Sequence, residues 1–420
     1  MKRRNIYKVY LLVAILLVST LGKSQESKDP LDMYLKIAMQ HNPDLKSIFN
    51  QYMAILERMP QAKSLPDPTL MFNVFASPVE TRVGAQNAGI SINQAFPWFG
   101  KLKSQEEAVA FLAKSKFEAF EDAKNRLMFD VKSTYYDYYV LAAAIRILEE
   151  NITLLKSLRE MANVRIESNQ GSAVDFLRAE IEIDQLNTQL LYLMDSKLPL
   201  QAKFKELLNT EMLQDLRIPD SLNAQFLLAS KQVLRDSVLA QNPQLRALDY
   251  KLNSVDSKIE VARKAGLPSF NVGVAYTNIS PRTDLDVPNN GKDALILPQI
   301  GVKLPLYRSK YRAMVKEQEL MKNSISFEKE NRENELETLL EKSWRDYTDA
   351  NRRVDLYKRL LGYAEQSLEI LITEYTTAGA DFEEVLRMEK QLLNFALELE
   401  KSLADQNTYV AFINYLTAKK

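Results

Sequence analysis

The side chains that most often carry out chemistry in proteins are scarce in this chain. Its 420 residues include no cysteine and a single histidine, His41. The sequence therefore lacks the residues for a nucleophile activated by a neighbouring histidine, and for a metal site built from several histidines or thiolates. His41 stands beside Asn42 and Pro43 at a predicted helix break, where capping or packing is favoured over catalysis. We expect no enzymatic activity, no cofactor and no metal.

Charged side chains are abundant, but their pattern is that of solvated helix faces. The sequence has 55 basic and 55 acidic residues, and acids such as Glu180, Glu182 and Asp184 recur within a helical run. Proteins that bind nucleic acids present a basic face. Balanced charge therefore disfavours a nucleic-acid partner.

The longest element that the sequence predicts is a helix over residues 101–170. Residues 101–170 contain neither glycine nor proline. Five apolar residues in this run are spaced by 4, 3, 4 and 3 positions, and they are Leu141, Ile145, Leu148, Ile152 and Leu155. Such spacing is typical of a helix packed along another helix. An unbroken helix of this span would be about 105 Å long.

Gly171 predicts the end of this helix and the turn of a hairpin. A second run without glycine or proline, residues 172–198, would form the returning arm. Before the long helix, residues 69–76 and 88–96 alternate apolar and polar side chains and predict two strands joined by a polar loop. Prolines divide residues 31–63 at Pro43 and Pro60, and they predict an irregular region of short helices over residues 199–243.

The same order of elements recurs in the second half of the chain. Strands are predicted at residues 269–278 and 294–304, with a polar loop between them, a long helix from Leu306 and a hairpin turn at Gly379. Pro298 predicts a late start or a bulge in the last strand. Residues 41–45 are echoed 200 positions later. We therefore expect two structural repeats, residues 25–220 and 221–420.

The N-terminus has the pattern of a secretory signal peptide, predicted over residues 1–24. Four basic residues accompany an apolar run of ten, residues 9–18, and small residues follow. An uncleaved N-terminal anchor is the alternative, although ten residues are too few to span a bilayer. No later stretch approaches 18 consecutive apolar residues, so we expect no membrane-spanning helix.

The predicted strands are long enough to cross a membrane when tilted, and each has one apolar face. Four strands cannot close a barrel, since about eight are needed. An open sheet in lipid would leave backbone groups unpaired. Either the strands form a soluble sheet covered by the helices, or three chains contribute twelve strands to one barrel.

These motifs resemble those of the TolC family of outer-membrane efflux proteins over almost the whole chain. The resemblance rests on Asn42-Pro43, on Leu65-Pro66-Asp67-Pro68, on residues 90–101, on residues 171–178 and on their second-half echoes. It implies a mainly α-helical protein with a small antiparallel β part. Three chains would form a 12-stranded transmembrane β-barrel, continued by an α-barrel of long helical hairpins.

The resemblance also implies a setting and partners. The protein would be a homotrimer in the outer membrane of a Gram-negative bacterium, in contact with lipid, with its tunnel projecting into the periplasm. It would act as the passive exit duct of a tripartite pump, together with a periplasmic adaptor protein and an inner-membrane transporter. The turns at Gly171 and Gly379 would form the periplasmic tip and contact the adaptor. The cargo, whether drug, metal or secreted protein, stays open.

In members of the family with an acidic gate, two acids lie one turn apart just past the second hairpin turn. Glu384 falls on the first of these positions, but Arg387 occupies the second, which is a departure. The resemblance thus implies a constriction at the tip formed by Glu384, Arg387 and Asp381, with Asp175 and Arg178 at the equivalent places in the first half. An ordinary surface pair between Glu384 and Arg387 is an equally good interpretation.

A second class of function is compatible with the same pattern. A secreted coiled-coil structural or adaptor protein with a small β domain would also show long helical hairpins and a signal peptide. An adaptor carries one helical hairpin, whereas this sequence predicts two. The duplication therefore favours the channel.

Overall fold

The computed structural model describes residues 30–210, 216–284, 286–377 and 381–419. The predicted signal peptide, residues 1–24, and the predicted turn residue Gly379 lie outside these ranges. The helices of the described ranges are α1 Pro30–His41, α2 Pro43–Leu56, α3 Arg58–Lys63, α4 Lys101–Glu167, α5 Ala173–Asp195, α6 Lys197–Leu208, α7 Lys231–Gln241, α8 Pro243–Ala265, α9 Arg308–Thr377 and α10 Phe382–Leu416. The strands are β1 Thr69–Thr81, β2 Gly84–Phe96, β3 Ser269–Ser280 and β4 Ala294–Lys303.

The two longest helices, α4 and α9, contain 67 and 70 residues. All five residues of the predicted seam in α4 are buried, as expected for a helix packed along others. Gly362 does not interrupt α9, because one glycine costs a long, packed helix only about 1 kcal/mol. The returning arm of the first hairpin breaks at Ser196 and continues as α6, which holds Pro199 in its first turn, where proline is tolerated.

The predicted break at Pro60 was wrong. Helix α2 ends at Leu56, and Pro60 lies inside the first turn of α3. A proline in a first turn removes no helical hydrogen bond, because the N–H groups of that turn have no partner within the helix. The chain instead breaks at Glu57.

Two asparagines begin equivalent helices in the two halves and tie each helix to a distant one. The Asn42 side chain accepts a hydrogen bond from the Leu45 amide and donates one to the carbonyl of Leu207, both 3.0 Å long. Asn242 accepts from the Gln244 amide and donates to the carbonyl of Leu416, both at 2.9 Å. Each asparagine thus caps one helix and satisfies a carbonyl at the C-terminal end of another.

We expect Asn242→Ala to destabilise the protein by about 2–3 kcal/mol, because it removes a helix cap and leaves the buried Leu416 carbonyl without its donor. Thermal unfolding followed by circular dichroism would measure the loss. Ser230→Ala is the matched control, since Ser230 caps α7 from an exposed position without a tether to a distant helix. Equal losses in the two variants would contradict this role of Asn242.

Between α6 and α7 the chain has no regular structure over residues 216–230. Side chains of other helices accept hydrogen bonds from several of its amides. The amide of Arg217 donates to the hydroxyl of Tyr34, and the amide of Leu222 to that of Tyr139. The Leu227 amide donates to the hydroxyl of Tyr347 at 3.1 Å. The predicted irregular region is therefore held in place by hydroxyl groups of packed tyrosines.

The strands form one antiparallel sheet in the order β1-β2-β3-β4, so β1 and β4 are its edges within the described residues. Cross-strand partners share a face of the sheet. One row pairs Leu70 with Ile92 and Ile92 with Val274, and the next contains Phe72, Ile90 and Tyr276. These rows give the sheet one continuous apolar face, which we call the apolar face.

None of the described helices covers the apolar face. Val74 is 83% exposed and Phe72 is 70% exposed, and β4 contributes Ile300 and Val302, which are also exposed. The opposite face, which we call the polar face, holds small and polar residues such as Asn73 and Thr277. A soluble sheet buried against its own helices is therefore not what this chain forms.

The predicted loop over residues 77–87 was wrong, because β1 and β2 extend to a tight turn between Thr81 and Gly84. The Thr81 hydroxyl donates to the Gly84 carbonyl at 2.6 Å. Gly84 has φ 135°, and a side chain there would overlap the carbonyl of Ser280. Pro78 is accommodated because the β1–β2 register shifts between Val74 and Val79, on an edge strand.

The last strand carries the bulge predicted at Pro298. The register of β3 against β4 shifts between Gly273 and Ala275, opposite this proline. A proline cannot donate to the ladder, so a bulge on an edge strand accommodates it.

Candidate functional site

The first hairpin turn joins α4 to α5 through a compact cap. The amides of Gln170 and Gly171 both donate to the carbonyl of Arg165, at 2.8 and 3.0 Å. A Cβ atom at Gly171 would lie 2.7 Å from the Cβ atom of Arg165, closer than side chains tolerate. Ser172 then caps α5 by accepting from the Val174 amide. Gly171 is therefore required by a close approach at the turn.

The second hairpin returns through α10, and Asp381 is its cap. The Asp381 carboxylate accepts from the Glu383 amide at 3.0 Å. Phe382 and Val385 are buried in an apolar cluster that also contains Leu158 and Ile183 of the first hairpin. Because the two hairpins share this cluster, the end of α9 and the start of α10 lie beside the turn at Gly171. We call this end of the molecule the tip.

Two of the predicted site residues pair within one helix. Arg387 donates to the Glu384 carboxylate, one turn back along α10, and both side chains are exposed. The apolar residues of the same turn, Phe382, Val385 and Leu386, are buried. The Glu384–Arg387 pair therefore lies on the side of α10 that faces away from the core.

The other predicted residues link the two hairpins. Arg178 of α5 contacts Glu383 of α10, with 2.9 Å between guanidinium nitrogen and carboxylate oxygen. Burial raises the pKa of the Asp175 carboxyl; Arg178 lowers this pKa and the negative charge of Asp381 raises it. The structure thus places Asp175 close enough to Asp381 for their charges to interact. Glu383 was not among the predicted residues, because its partner is about 200 positions away in the sequence.

The sequence did not predict the stacking of Arg165 on Tyr375 at the tip. The guanidinium of Arg165 lies 4.4 Å from the ring centre of Tyr375, and the Tyr375 ring packs on Phe382 at 5.1 Å. Tyr375 is buried. This stack joins the end of α4 to α9 and α10, and it supports the turn that Gly171 makes.

A buried carboxyl lies deeper in the same bundle. Glu389 of α10 is fully buried, and neither of its oxygens has a hydrogen-bond partner in the described part of the chain. Burial raises the pKa of Glu389 to about 7; nearby Asn151 and Lys390 oppose the rise, and Glu182 adds to it. Lys390 itself contacts Glu182 at 2.6 Å. No single-helix pattern could have predicted this group, because it lies where α4, α5 and α10 meet.

Two ion pairs, Arg178 with Glu383 and Arg387 with Glu384, lie at the tip. In the ranges that the structure describes, no three histidine, cysteine, aspartate or glutamate side chains are placed to hold a metal ion. Among the same residues, no helix combines the length and the apolar character needed to cross a membrane.

Several solved structures have the same fold as this chain over most of their length. The chain is similar to the outer-membrane channel OprN, with a TM-score of 0.77 and 14% identity over 93% of this chain and 90% of that one. It is also similar to the outer-membrane protein VceC from Vibrio cholerae, with a TM-score of 0.74 and 14% identity over 92% of this chain and 95% of that one.

The Campylobacter jejuni CmeC outer membrane channel matches with a TM-score of 0.74 and 15% identity, over 93% of this chain and 85% of that one. The chain has the TolC fold. No protein-family model matches the sequence, and no curated protein matches it significantly. The TolC fold places the sheet and the hairpin turns at opposite ends of the long helices, as their element order requires.

Proposed function

We propose that this protein is the outer-membrane channel of an efflux system. The observation that carries the proposal is the uncovered apolar face of an open four-stranded sheet. An exposed apolar surface of this kind requires a partner, and a tilted strand of 10–13 residues matches the thickness of a bilayer. Lipid is the partner that suits a sheet whose opposite face is polar.

The open edges argue for a trimer. In lipid, unpaired N–H and C=O groups along β1 and β4 would cost several kcal/mol each, so these edges must pair with other chains. Three copies supply twelve strands, and β1 of one protomer would pair with β4 of the next. The long helices would then form a tunnel in the periplasm, ending at the tip.

The channel has no energy source of its own in this proposal. A periplasmic adaptor protein would contact the tip near Gly171, and an inner-membrane transporter would drive small molecules through the passive tunnel. OprN and CmeC are described as outer-membrane channels, which supports this role and the outer-membrane location. The secreted coiled-coil alternative predicts a covered sheet, so the exposed apolar face disfavours it.

The experiment that tests this function is extraction and assembly of the full chain. We expect the protein to leave outer-membrane fractions only with detergent, to behave as a trimer in light scattering, and to change gel mobility on boiling. A monomer that stays soluble without detergent and does not change mobility would overturn the proposal.

At the tip we propose a constriction lined by the Glu384–Arg387 pairs of three protomers, with Asp381, Asp175 and Arg178 around them. Paired rings of opposite charge would hold a narrow mouth closed. We expect Glu384→Ala combined with Arg387→Ala to raise the small-ion conductance of single channels in planar bilayers several-fold.

The matched control for this variant is Arg332→Ala combined with Glu335→Ala. That pair has the same three-residue spacing and similar exposure, but it lies in the first half of α9, far from the tip. Equal conductance in wild type and both variants would show that Glu384 and Arg387 form an ordinary surface pair.

A further inference from the structure

The junction between sheet and helices holds a cleft that the tip constriction does not involve. The cleft has a volume of about 440 Å³ and lies between the ends of the strands and the adjoining ends of α4, α8 and α9. Trp98 and Tyr311 contribute aromatic rings to its wall.

Four lysines line this cleft, and no acidic side chain does: Lys101, Lys264, Lys303 and Lys310. Lys264 donates to the Gly100 carbonyl and to the Ser104 hydroxyl, at 3.2 and 2.7 Å, which fixes its ammonium beside the cleft. Within the described residues, none of the four has a carboxylate partner. Four uncompensated ammonium groups around one cavity produce a strongly positive potential.

Helix α4 adds to this potential. It begins at the cleft, and its N-cap is Gly100, which offers no side-chain acceptor to the first amides. The Lys101 amide donates to the Trp98 carbonyl, but the helix dipole still gives this N-terminus a partial positive charge that favours an anion. The lysines and the helix terminus therefore act in the same direction.

The cleft opens on the polar face of the sheet. Lys303 is the register partner of Ser269, and both line the cleft together with Asn271. These residues alternate with Phe270 and Val302 of the apolar face. If the apolar face contacts lipid, as proposed above, the cleft must face the interior of the channel.

We propose that this cleft is an internal binding site for soluble, multiply charged anions, with phosphate or carboxylate groups as the recognised chemistry. The site rests on the proposed channel function, because that function turns the polar face inward. Three protomers would place twelve lysines around the passage at the base of the barrel. Cargo with several negative charges is thereby drawn from the tunnel into the barrel, and cations are disfavoured.

Trp98 in the cleft wall provides an intrinsic reporter. The chain has two tryptophans, so Trp344→Phe leaves Trp98 as the only indole. The detergent-purified full chain carrying this change would be titrated with inorganic tripolyphosphate at constant ionic strength. We expect a saturable change in Trp98 emission, weakened by added salt because the attraction is electrostatic.

Lys101→Gln combined with Lys303→Gln removes two of the charges. Neither lysine makes a hydrogen bond or ion pair through its side chain within the described residues, so the variant is expected to fold. We expect the half-saturating concentration to rise roughly tenfold. Lys342→Gln combined with Lys358→Gln, two exposed lysines of α9 far from the cleft, is the control with equal charge loss.

Three outcomes would overturn the site. Trp98 emission that does not respond to tripolyphosphate excludes anion binding in the cleft. An equal shift in the cleft variant and the control assigns the effect to net charge. A response to micelles containing anionic phospholipid, without one to tripolyphosphate, assigns the cleft to lipid headgroups. Light scattering of the same samples shows separately whether the trimer forms, so a failed channel proposal is distinguished from a failed site.

Discussion

Replacing Val74 by arginine is expected to prevent assembly of the protein in the outer membrane. Val74 lies near the middle of β1 on the apolar face, and it is 83% exposed in the single chain. An arginine facing lipid near the centre of a transmembrane strand costs about 2–4 kcal/mol. The proposed trimer would incur that cost three times, so the amount of heat-modifiable trimer in outer-membrane fractions should fall to a small fraction of the wild-type level.

The adjacent residue provides the control. Asn73 precedes Val74 in the same strand, is also exposed in the single chain, and lies on the polar face. Asn73→Arg adds the same side chain one position away but directs it to the interior, so we expect nearly normal assembly. If both variants assembled equally well, or failed equally, the apolar face would not be the surface in contact with lipid.

Replacing Glu389 by glutamine is expected to stabilise the protein, and more so at higher pH. The folded protein raises the pKa of Glu389 to about 7, above its ordinary value of 4.5, because burial disfavours the charged form. The folded state therefore retains a proton that the unfolded state releases, and stability falls as pH rises from about 4.5 through about 7. A neutral glutamine of the same shape removes this dependence.

The expected gain for Glu389→Gln is about 3 kcal/mol at pH 8 and a small fraction of that at pH 5. Thermal unfolding of the detergent-purified protein at the two pH values would measure it. Glu369→Gln is the control, since Glu369 is exposed on α9, which also packs at the tip. A Glu389→Gln variant whose stability relative to wild type does not depend on pH would contradict a buried, protonated carboxyl.

Much of the helical architecture could be predicted from local pattern. The run without glycine or proline before Gly171 became α4, because nothing in it breaks the backbone hydrogen bonds of a helix. The strand ends were less predictable. The polar residues 77–87 indicated a loop, yet a register shift accommodates Pro78 and Gly84 closes a tight hairpin against Ser280.

Within the candidate site, only the contact between residues of the same helix could be predicted from the sequence. Glu384 and Arg387 are three residues apart on a helix, so their pairing follows from helix geometry alone. The contact between Arg178 and Glu383, and the stack of Arg165 on Tyr375, depend on how two hairpins pack. A residue's helical neighbours are set by its own sequence, whereas its neighbours on another helix are set by tertiary packing.

The sequence by itself determined the elements, their order and the alternation of apolar and polar positions along each strand, because these depend on residues close together in the chain. Only the tertiary structure decided that the apolar face is exposed in the described part of the chain, that Glu389 is buried, and that four lysines share one cleft. Exposure, desolvation and clustering of charge depend on which distant segments come together. Those properties arise only when the helices and strands have packed.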